Sequence, residues 1–225
     1  MGESTPERVR SEQAADFAKD HLQGRPRVLH VGRPSSLVPG QLSNVGFDVT
    51  CSTDDMLATL ENTFDAIVFS HALSAAPSLE STIAHAAALL APTGRLIVDD
   101  LDSQAIDTTS VRWYYDTQEL LHVAGVFPAE RVHPVHADPI VRWREGVRRE
   151  GILHTGTEMR IAISARFAIR ELKRVEGYYR HVSDGLSDDA LGAAIATHVR
   201  TTERRLITTD NMLPVGLRIV ADRAR

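Results

Sequence analysis

This 225-residue sequence has only one cysteine, no long apolar run and no excess of positive charge. The single cysteine, Cys51, excludes an internal disulfide framework and is compatible with a reducing compartment. No apolar run approaches the roughly 20 residues that a membrane-spanning helix requires, and the first twenty residues are too polar for a secretory signal peptide. The formal net charge of −5 gives no bulk attraction to nucleic acid or to an anionic membrane. We therefore expect a cytoplasmic protein that binds neither nucleic acid nor membrane.

Several motifs that identify common enzyme classes are also missing. The sequence contains no Gly-x-Ser-x-Gly element, no phosphate-binding loop and no dinucleotide glycine fingerprint, so the hydrolase, nucleotide triphosphatase and dehydrogenase interpretations lack their motifs. His133, His136 and Asp138 have a loose metal-ligand spacing, but the sequence offers no convincing further ligand beside them. We predict no metal site.

What the sequence does contain is an ordinary globular composition with a regular alternation of elements. Hydrophobic residues make up 43% and charged residues 24%, and the chain is long enough to bury a sizeable core. Short apolar segments predict four strands at 27–31, 47–51, 64–70 and 94–100. Helical spacing or capping residues between them predict crossover helices, an order typical of parallel strands. We expect an α/β fold with an open, doubly wound, mostly parallel sheet, whose ligand lies beyond the carboxyl ends of the strands.

The second half of the sequence contains more helix than a crossover needs. Asp116 with Glu119 and Thr155 with Glu158 have the spacing of helix starts. A half-exposed strand at 166–175, a long helix at 188–209 and a final strand at 215–222 follow, and we expect the final strand to be antiparallel to its neighbours. The predicted organisation is an N-terminal helical segment at 1–24 and one domain at 25–225, with a helical cap inserted at about 116–165.

Four stretches in this order resemble the class I methyltransferase family, whose members use S-adenosylmethionine. They are "VLHVGRPSS", "GFDVTCSTDDML", "FDAIVFSHAL" and "LLAPTGRLIVDDLD", which together cover about residues 25–102. The first is a degraded match, because Pro34 and Ser36 stand where the family has its second and third glycines, and His30 stands where it usually has an acid. The second strand ends without the usual acid, and Asp54 lies nearby but displaced. The resemblance implies a Rossmann-like methyltransferase sheet with a helical cap.

The resemblance also implies positions for the cofactor and for a small-molecule methyl acceptor. The residues expected to bind S-adenosylmethionine follow the first three strands: Gly32, Ser35, Ser36, Thr53, Asp54 and Ser70. His71 and Tyr115 are the candidate catalytic residues, because they match the region where cofactor and acceptor meet. The candidate substrate-binding residues are the aromatic and histidine side chains of the second half: Trp113, Tyr114, His154, Tyr178, Tyr179 and His181. Aromatic faces attract a methylsulfonium or an amine.

The carboxylates at the end of the fourth strand have two interpretations. Asp99, Asp100 and Asp102 could bind a cation, accept a proton or hold a metal. The simpler interpretation, which we favour, is a solvated strand end with a helix cap.

Two functions of different class remain open. The first is transfer of a methyl group from S-adenosylmethionine to a small molecule. The alternative is a non-catalytic or repurposed methyltransferase-fold subunit, a pseudoenzyme candidate, that supports a partner in a homo- or hetero-oligomer or binds another ligand. The altered glycine turn favours the alternative, and the cap rich in aromatic and histidine residues favours a working pocket.

Overall fold

The computed structural model describes residues 4–129 and 138–224. His133 and His136, whose spacing was considered for a metal site and set aside, lie outside the described residues. The sheet strands are β1 Arg27–Gly32, β2 Asp48–Ser52, β3 Phe64–Ser70, β4 Leu90–Leu101, β5 Phe167–Val175 and β6 Gly216–Arg223. The helices are α1 Pro6–His21, α2 Val38–Asn44, α3 Leu79–Leu89, α4 Thr108–Val123, α5 Pro139–Arg149, α6 Gly156–Ser164, α7 Tyr178–Ser183 and α8 Ala190–Thr208, with a 3₁₀ helix at Asp54–Thr59.

The chain divides into two compact units. The first, which we call the sheet unit, comprises Ser11–Asp102, Leu153–Arg174 and Leu217–Arg225. The second, the helical unit, comprises Met1–Arg10, Ser103–Ile152 and Val175–Gly216. Among the described residues, no helix is long and apolar enough to cross a membrane.

The six strands form one sheet in the order β2-β1-β3-β4-β6-β5. The pairs β1–β2, β1–β3 and β3–β4 are parallel, which confirms the predicted parallel sheet. The strand β6 runs in the opposite direction to β4. Arg95 of β4 pairs with Asp222 near the end of β6, whereas Asp99, further along β4, pairs with Arg218 near the start of β6. These contacts place β6 antiparallel to β4, as the sequence predicts.

Helices cover both faces of the sheet unit. Leu29 and Val31 point to the face that packs on α3 and α6 through Ile83 and Met159. Val28 and Val68 point to the opposite face. The residues of α1 and α2 that cover this second face are Ala14, Ala15, Phe17, Ala18, Leu22, Val38 and Leu42. A strand buried on both faces reads as a continuous apolar run, which is why β3 was recognisable in the sequence.

The predicted cap of residues 116–165 differs from the observed division of the chain. The helix that Thr155 begins, α6, belongs to the sheet unit, because its apolar residues Met159 and Ile163 are buried in that unit's core. The helical unit instead continues through α7 and α8. The helix predicted to start near Asp116 is α4, which starts at Thr108, since Asp107 caps it by accepting from the Ser110 amide.

Candidate functional site

The carboxyl ends of β1, β3 and β4 lie side by side at one edge of the sheet. The register pairs Gly32 with Ser70, and Ser70 with Asp99. The chain moves from β1 to β2 on one side and then returns to β3 on the other side of β1. This reversal of strand order is the switch point beyond which open α/β sheets bind their ligands. We call this region the carboxyl edge, defined by Gly32, Ser52, Ser70 and Asp99.

The turn after β1 is built from proline and serine where the resembling family uses glycine. The Ser36 amide donates to the Arg33 carbonyl at 3.0 Å, which closes a β-turn with Pro34 in the second position, where proline is favoured. No residue from Arg33 to Ser36 has a positive φ, so the turn requires no glycine. The Leu37 amide donates to Ser11 Oγ and the Val38 amide to Ser36 Oγ, which ties the turn to α1 and α2.

Gly32 is required by its neighbours in the sheet. A Cβ at this position would lie 2.8 Å from His30 Cε1 and 2.9 Å from the Ser70 carbonyl oxygen. A Cβ does not approach non-bonded atoms so closely in folded proteins. Glycine at this position therefore allows the His30 imidazole and the β3 main chain to pack against the end of β1. Gly32 itself is half-buried at the carboxyl edge.

Two buried polar side chains at this edge have no hydrogen-bond partner among the described residues. They are His30, which is 2% exposed and unpartnered at Nε2, and Ser70, which is 5% exposed and unpartnered at Oγ. Because Gly32 pairs with Ser70 and strand side chains alternate, His30 and Ser70 lie on the same face. Burial lowers the pKa of His30 to about 4, so its imidazole is neutral near pH 7.

The loop after β3 is held in a strained conformation by the end of β4. His71 has a φ of 51°, in the left-handed region that few residues other than glycine adopt, and its amide donates to the Asp99 carbonyl at 2.9 Å. The Asp100 carboxylate is fully buried and accepts from the amides of Leu73, Ser74 and Leu101. Strained main chain of this kind is concentrated at functional sites.

His154 lies in the sheet unit, where it fastens the same loop from the other side. Its Nε2 is 2.7 Å from the Ala76 carbonyl, and the amides of Leu153 and His154 both donate to the Ser74 carbonyl. Because a carbonyl can only accept, Nε2 donates to Ala76, and Nδ1 is the nitrogen of a neutral ring that could accept a hydrogen bond. Substrate binding by His154 stays a prediction.

The carboxylates at the end of β4 are buried, so the favoured interpretation of a solvated strand end is wrong. Asp99 bonds Arg218 at 2.9 Å, Asp100 holds the β3 loop, and Asp102 accepts from the Gly156 amide and bonds Arg174 at 2.7 Å. Each carboxylate is used to join segments of the sheet unit. Among the described residues, no group of three His, Cys, Asp or Glu side chains could hold a metal ion.

The end of β2 presents hydroxyl groups and one displaced carboxylate. Ser52, at the end of β2, pairs with Val31 in the register, and Thr53 follows in an extended conformation. Thr53 makes no side-chain cap hydrogen bond to the 3₁₀ helix that begins at Asp54. Thr53 and Asp54 are half-buried next to the carboxyl edge, and Cys51 is exposed on this outer strand.

The helical unit contains an aromatic cluster, defined here as Tyr114, Trp143, Tyr178 and His181. The ring centroids of Tyr114, Trp143 and Tyr178 are 5.1 to 5.7 Å apart, and His181 lies 5.2 Å from Trp143. At these distances the rings pack on one another, largely edge to face, as a core does. The structure thus brings together three of the predicted substrate residues, and it adds Trp143, which the sequence analysis missed.

Of the other predicted residues of the helical unit, Tyr115 touches this cluster, with its ring centroid 5.0 Å from that of Tyr114. Trp113 is half-buried on α4, and Tyr179 is fully buried beside Arg180. Tyr115 is 6% exposed, and the Arg142 guanidinium stacks 3.6 Å above its ring centroid. Burial raises the pKa of the Tyr115 phenol above its ordinary value, which disfavours it as a base and suits it to donate a hydrogen bond.

Two carboxylates that the sequence analysis overlooked organise the helical unit. Glu150 lies 2.8 Å from His181 Nδ1, and because a carboxylate can only accept, that nitrogen carries the proton. Nε2 of His181 is buried without a partner among the described residues. Glu203 is fully buried and accepts from the amides of Gly177, Tyr178 and Tyr179, at the start of α7. Burial raises the pKa of Glu203 to about 7, against the opposing effect of these hydrogen bonds.

Comparison with known proteins assigns this arrangement to a family. The family model described as a methyltransferase domain matches residues 11–145, which is more than half of the chain. This chain belongs to the methyltransferase-domain family. No curated protein sequence matches this methyltransferase domain.

Solved structures support the fold of this methyltransferase domain. One is the geranyl diphosphate C-methyltransferase of Streptomyces coelicolor A3(2), with a TM-score of 0.51 and 14% identity over 95% of this chain and 76% of that one. Another is phosphoethanolamine N-methyltransferase 2 of Haemonchus contortus, with a TM-score of 0.53 and 9% identity over 95% of this chain and 53% of that one. Identities this low establish the fold and leave the substrate open.

Proposed function

We propose that this methyltransferase domain transfers a methyl group from S-adenosylmethionine to a small molecule, with the cofactor bound at the carboxyl edge of the sheet unit. The observation that carries the proposal is the pair of buried polar atoms beside Gly32, His30 Nε2 and Ser70 Oγ, which have no hydrogen-bond partner among the described residues. The Streptomyces coelicolor enzyme was crystallised with S-adenosyl-L-homocysteine and the Haemonchus contortus enzyme with S-adenosyl-L-methionine.

The residues around this edge suit the groups of such a cofactor. Gly32, Ser35 and Ser36 supply main chain and hydroxyl groups at the turn, and Ser70 lies opposite Gly32. Thr53 and Asp54 offer a hydroxyl and a carboxylate for the ribose hydroxyl groups, in place of an acid at the end of β2. When bound, the cofactor supplies a methyl group on a sulfonium. The chain's own task is to orient the acceptor toward that methyl group.

The acceptor is the less defined half of the proposal. The predicted residues of each unit remain its candidates. In the sheet unit these are His154 for binding and His71 for catalysis. In the helical unit the binding candidates are Trp113, Tyr114, Tyr178, Tyr179 and His181, and the catalytic candidate is Tyr115. Support comes from His181, whose Nδ1–H is directed to Glu150 and whose Nε2 remains an acceptor for a hydroxyl or an amine. The strained main chain of His71 supports a role for that residue. The cytoplasmic location and any oligomeric partner stay predictions of the sequence.

A non-catalytic or repurposed role is the second candidate. Pro34 and Ser36 form a stable β-turn that has no need of glycine, and β2 ends in Ser52 and Thr53 with no carboxylate before Asp54. A protein that no longer bound S-adenosylmethionine could keep its sheet while it lost the glycines of the β1 turn and the carboxylate at the end of β2.

Calorimetric titration with S-adenosylmethionine and with S-adenosylhomocysteine separates the two candidates. Micromolar binding of either compound supports the methyltransferase. A folded protein that binds neither compound at millimolar concentration contradicts it and leaves the repurposed subunit. Circular dichroism and a cooperative thermal transition of the same sample establish that the protein is folded.

A further inference from the structure

His30 is a buried histidine next to the carboxyl edge, and the packing of the described residues leaves one of its ring nitrogens without a hydrogen bond. It is 2% exposed, and Nε2 has no hydrogen-bond partner among the described residues. A buried polar atom without a partner costs about 1–3 kcal/mol. Such an atom is retained where a ligand or a water supplies the missing bond. His30 is the residue immediately below Gly32 on the same face, since a Cβ on Gly32 would lie 3.2 Å from Nε2.

The charged groups near this face leave the imidazole neutral. Cys51 is the register partner of His30 on β2, and Asp99 and Arg218, on β4 and β6, bond each other. α2 carries no charged residue, and the acidic and lysine side chains of the α1 segment in the sheet unit are exposed. Burial alone accounts for the lowered pKa of His30, so no neighbouring carboxylate holds a proton on the ring. A neutral imidazole has one nitrogen that can accept a hydrogen bond.

The cofactor's methionine portion carries one carboxylate and one ammonium group. Main-chain amides of a turn supply donors, which suit the carboxylate. The ammonium group can only donate, so it requires acceptors. His30 Nε2 and Ser70 Oγ are two buried atoms on the same face that can accept and that no described residue satisfies.

Building on the proposed function, we propose that His30 Nε2 accepts a hydrogen bond from the α-ammonium group of the bound cofactor, with Ser70 Oγ beside it. His30 is then a specificity-determining residue, which selects for cofactors and analogues that carry the amino group. It replaces, with a neutral acceptor, the acid that the resembling family carries on its first strand.

The test is a double-mutant cycle between the protein and the ligand, measured by calorimetry. The ligands are S-adenosylhomocysteine, its analogue without the α-amino group, and its analogue without the α-carboxylate. The proteins are wild type, His30→Leu, His30→Asp and the control His85→Leu. His85 is half-buried on α3, which covers the opposite face of the sheet, so its replacement controls for the loss of an imidazole.

The proposal expects His30→Leu to bind S-adenosylhomocysteine about tenfold more weakly, as the loss of one hydrogen bond to a charged group predicts. The same variant should bind the analogue without the amino group within about twofold of wild type. His30→Asp should bind S-adenosylhomocysteine at least as tightly as wild type, because a carboxylate is a stronger acceptor for an ammonium group. His85→Leu should change nothing.

Three results overturn the inference and leave the proposed function standing. In the first, His30→Leu weakens all three ligands equally, which shows that the residue is structural. In the second, His30→Leu weakens binding of the analogue without the amino group but not of the analogue without the carboxylate, which shows that His30 interacts with the carboxylate. In the third, His30→Leu binds as wild type does. If wild type binds no ligand of this series, the proposed function itself fails. Thermal unfolding of each variant establishes that it is folded.

Discussion

The sheet unit and the helical unit each contain a buried carboxylate that accepts three main-chain hydrogen bonds. Asp100 in the sheet unit holds a loop, and Glu203 in the helical unit holds the start of a helix. Asp100 immediately follows Asp99 on β4 and holds an irregular loop, Leu73 and Ser74. Glu203 extends from the middle of α8 and fixes the first turn of the short helix α7. Burial raises the pKa of both. The comparison shows that each unit uses a buried carboxylate, Asp100 or Glu203, to hold a segment of main chain that is distant in sequence.

The two units also differ in how they keep a buried histidine. His181 is paired with Glu150, which fixes its tautomer, whereas no charged residue shifts the pKa of His30. Both leave Nε2 without a partner among the described residues. Because the acids at the end of β4 are occupied, the unsatisfied polar groups at the carboxyl edge are His30 and Ser70, where the proposed cofactor would bind.

Removal of either buried carboxylate tests the comparison with the largest expected effect. Asp100→Ala and Glu203→Ala each leave three buried amides without an acceptor, and we expect each to lower the free energy of unfolding by about 3 kcal/mol or more. Urea denaturation measures the loss. Asp55→Ala, at an exposed position of the 3₁₀ helix, is the control and should change stability by less than about 0.5 kcal/mol. A loss below about 1 kcal/mol for both alanine variants would contradict the organising role.

The pH dependence of stability distinguishes the contribution of Glu203. Its folded pKa of about 7 lies above the ordinary value of 4.5, so the folded state binds the proton more tightly than the unfolded state. The resulting stability is fully present below pH 4.5 and is lost as the pH rises through about 7, a decrease of about 3 kcal/mol. Glu203→Gln cannot ionise and should remove this part of the slope. A wild type and a Glu203→Gln variant with parallel pH profiles would show that the amides keep the carboxylate ionised.

Gly32→Ala tests the crowded end of β1 in the sheet unit. The added methyl group meets the His30 ring and the Ser70 carbonyl, and we expect a loss of about 1–3 kcal/mol in the free energy of unfolding. Gly40→Ala is the matched control, because it lies in α2 with no atom within 4 Å of the added Cβ. That substitution should raise stability by about 0.5–1 kcal/mol. Equal effects in the two variants would show that Gly32 is not sterically constrained.

The smallest expected effect concerns α6, which the structure places in the sheet unit and the sequence analysis placed in the cap. Thr155 and Glu158 form a complete capping box at its start. Thr155→Ala should cost about 1 kcal/mol. Thr157→Ala, at an exposed position inside the same helix, should be neutral or slightly stabilising. Thr155→Ala removes the capping hydrogen bond and Thr157→Ala keeps it. Equal free energies of unfolding in the two variants would therefore contradict the stabilising role of the cap.

The sequence predicted those parts of the fold that depend on local pattern. The apolar runs of β1, β3 and β4 and the glycine at the end of β1 predicted the parallel sheet, and the pairings between these strands confirm it. The sequence analysis predicted Tyr178, Tyr179 and His181 as substrate-binding side chains and gave no helix there. They lie on α7, whose start depends on Glu203, a residue far along the chain. The unpartnered state of His30 was equally unpredictable, since it depends on which groups fail to reach it after folding.

The most direct test of the central claim is a ¹⁵N–¹H correlation spectrum of the methyltransferase domain during titration with S-adenosylhomocysteine. Binding at the carboxyl edge should shift the amide resonances of Gly32, Thr53 and Ser70 most strongly, with saturation at micromolar ligand concentration. No shift at millimolar ligand, or shifts confined to amides of the helical unit such as Tyr178, would contradict a cofactor site at the carboxyl edge.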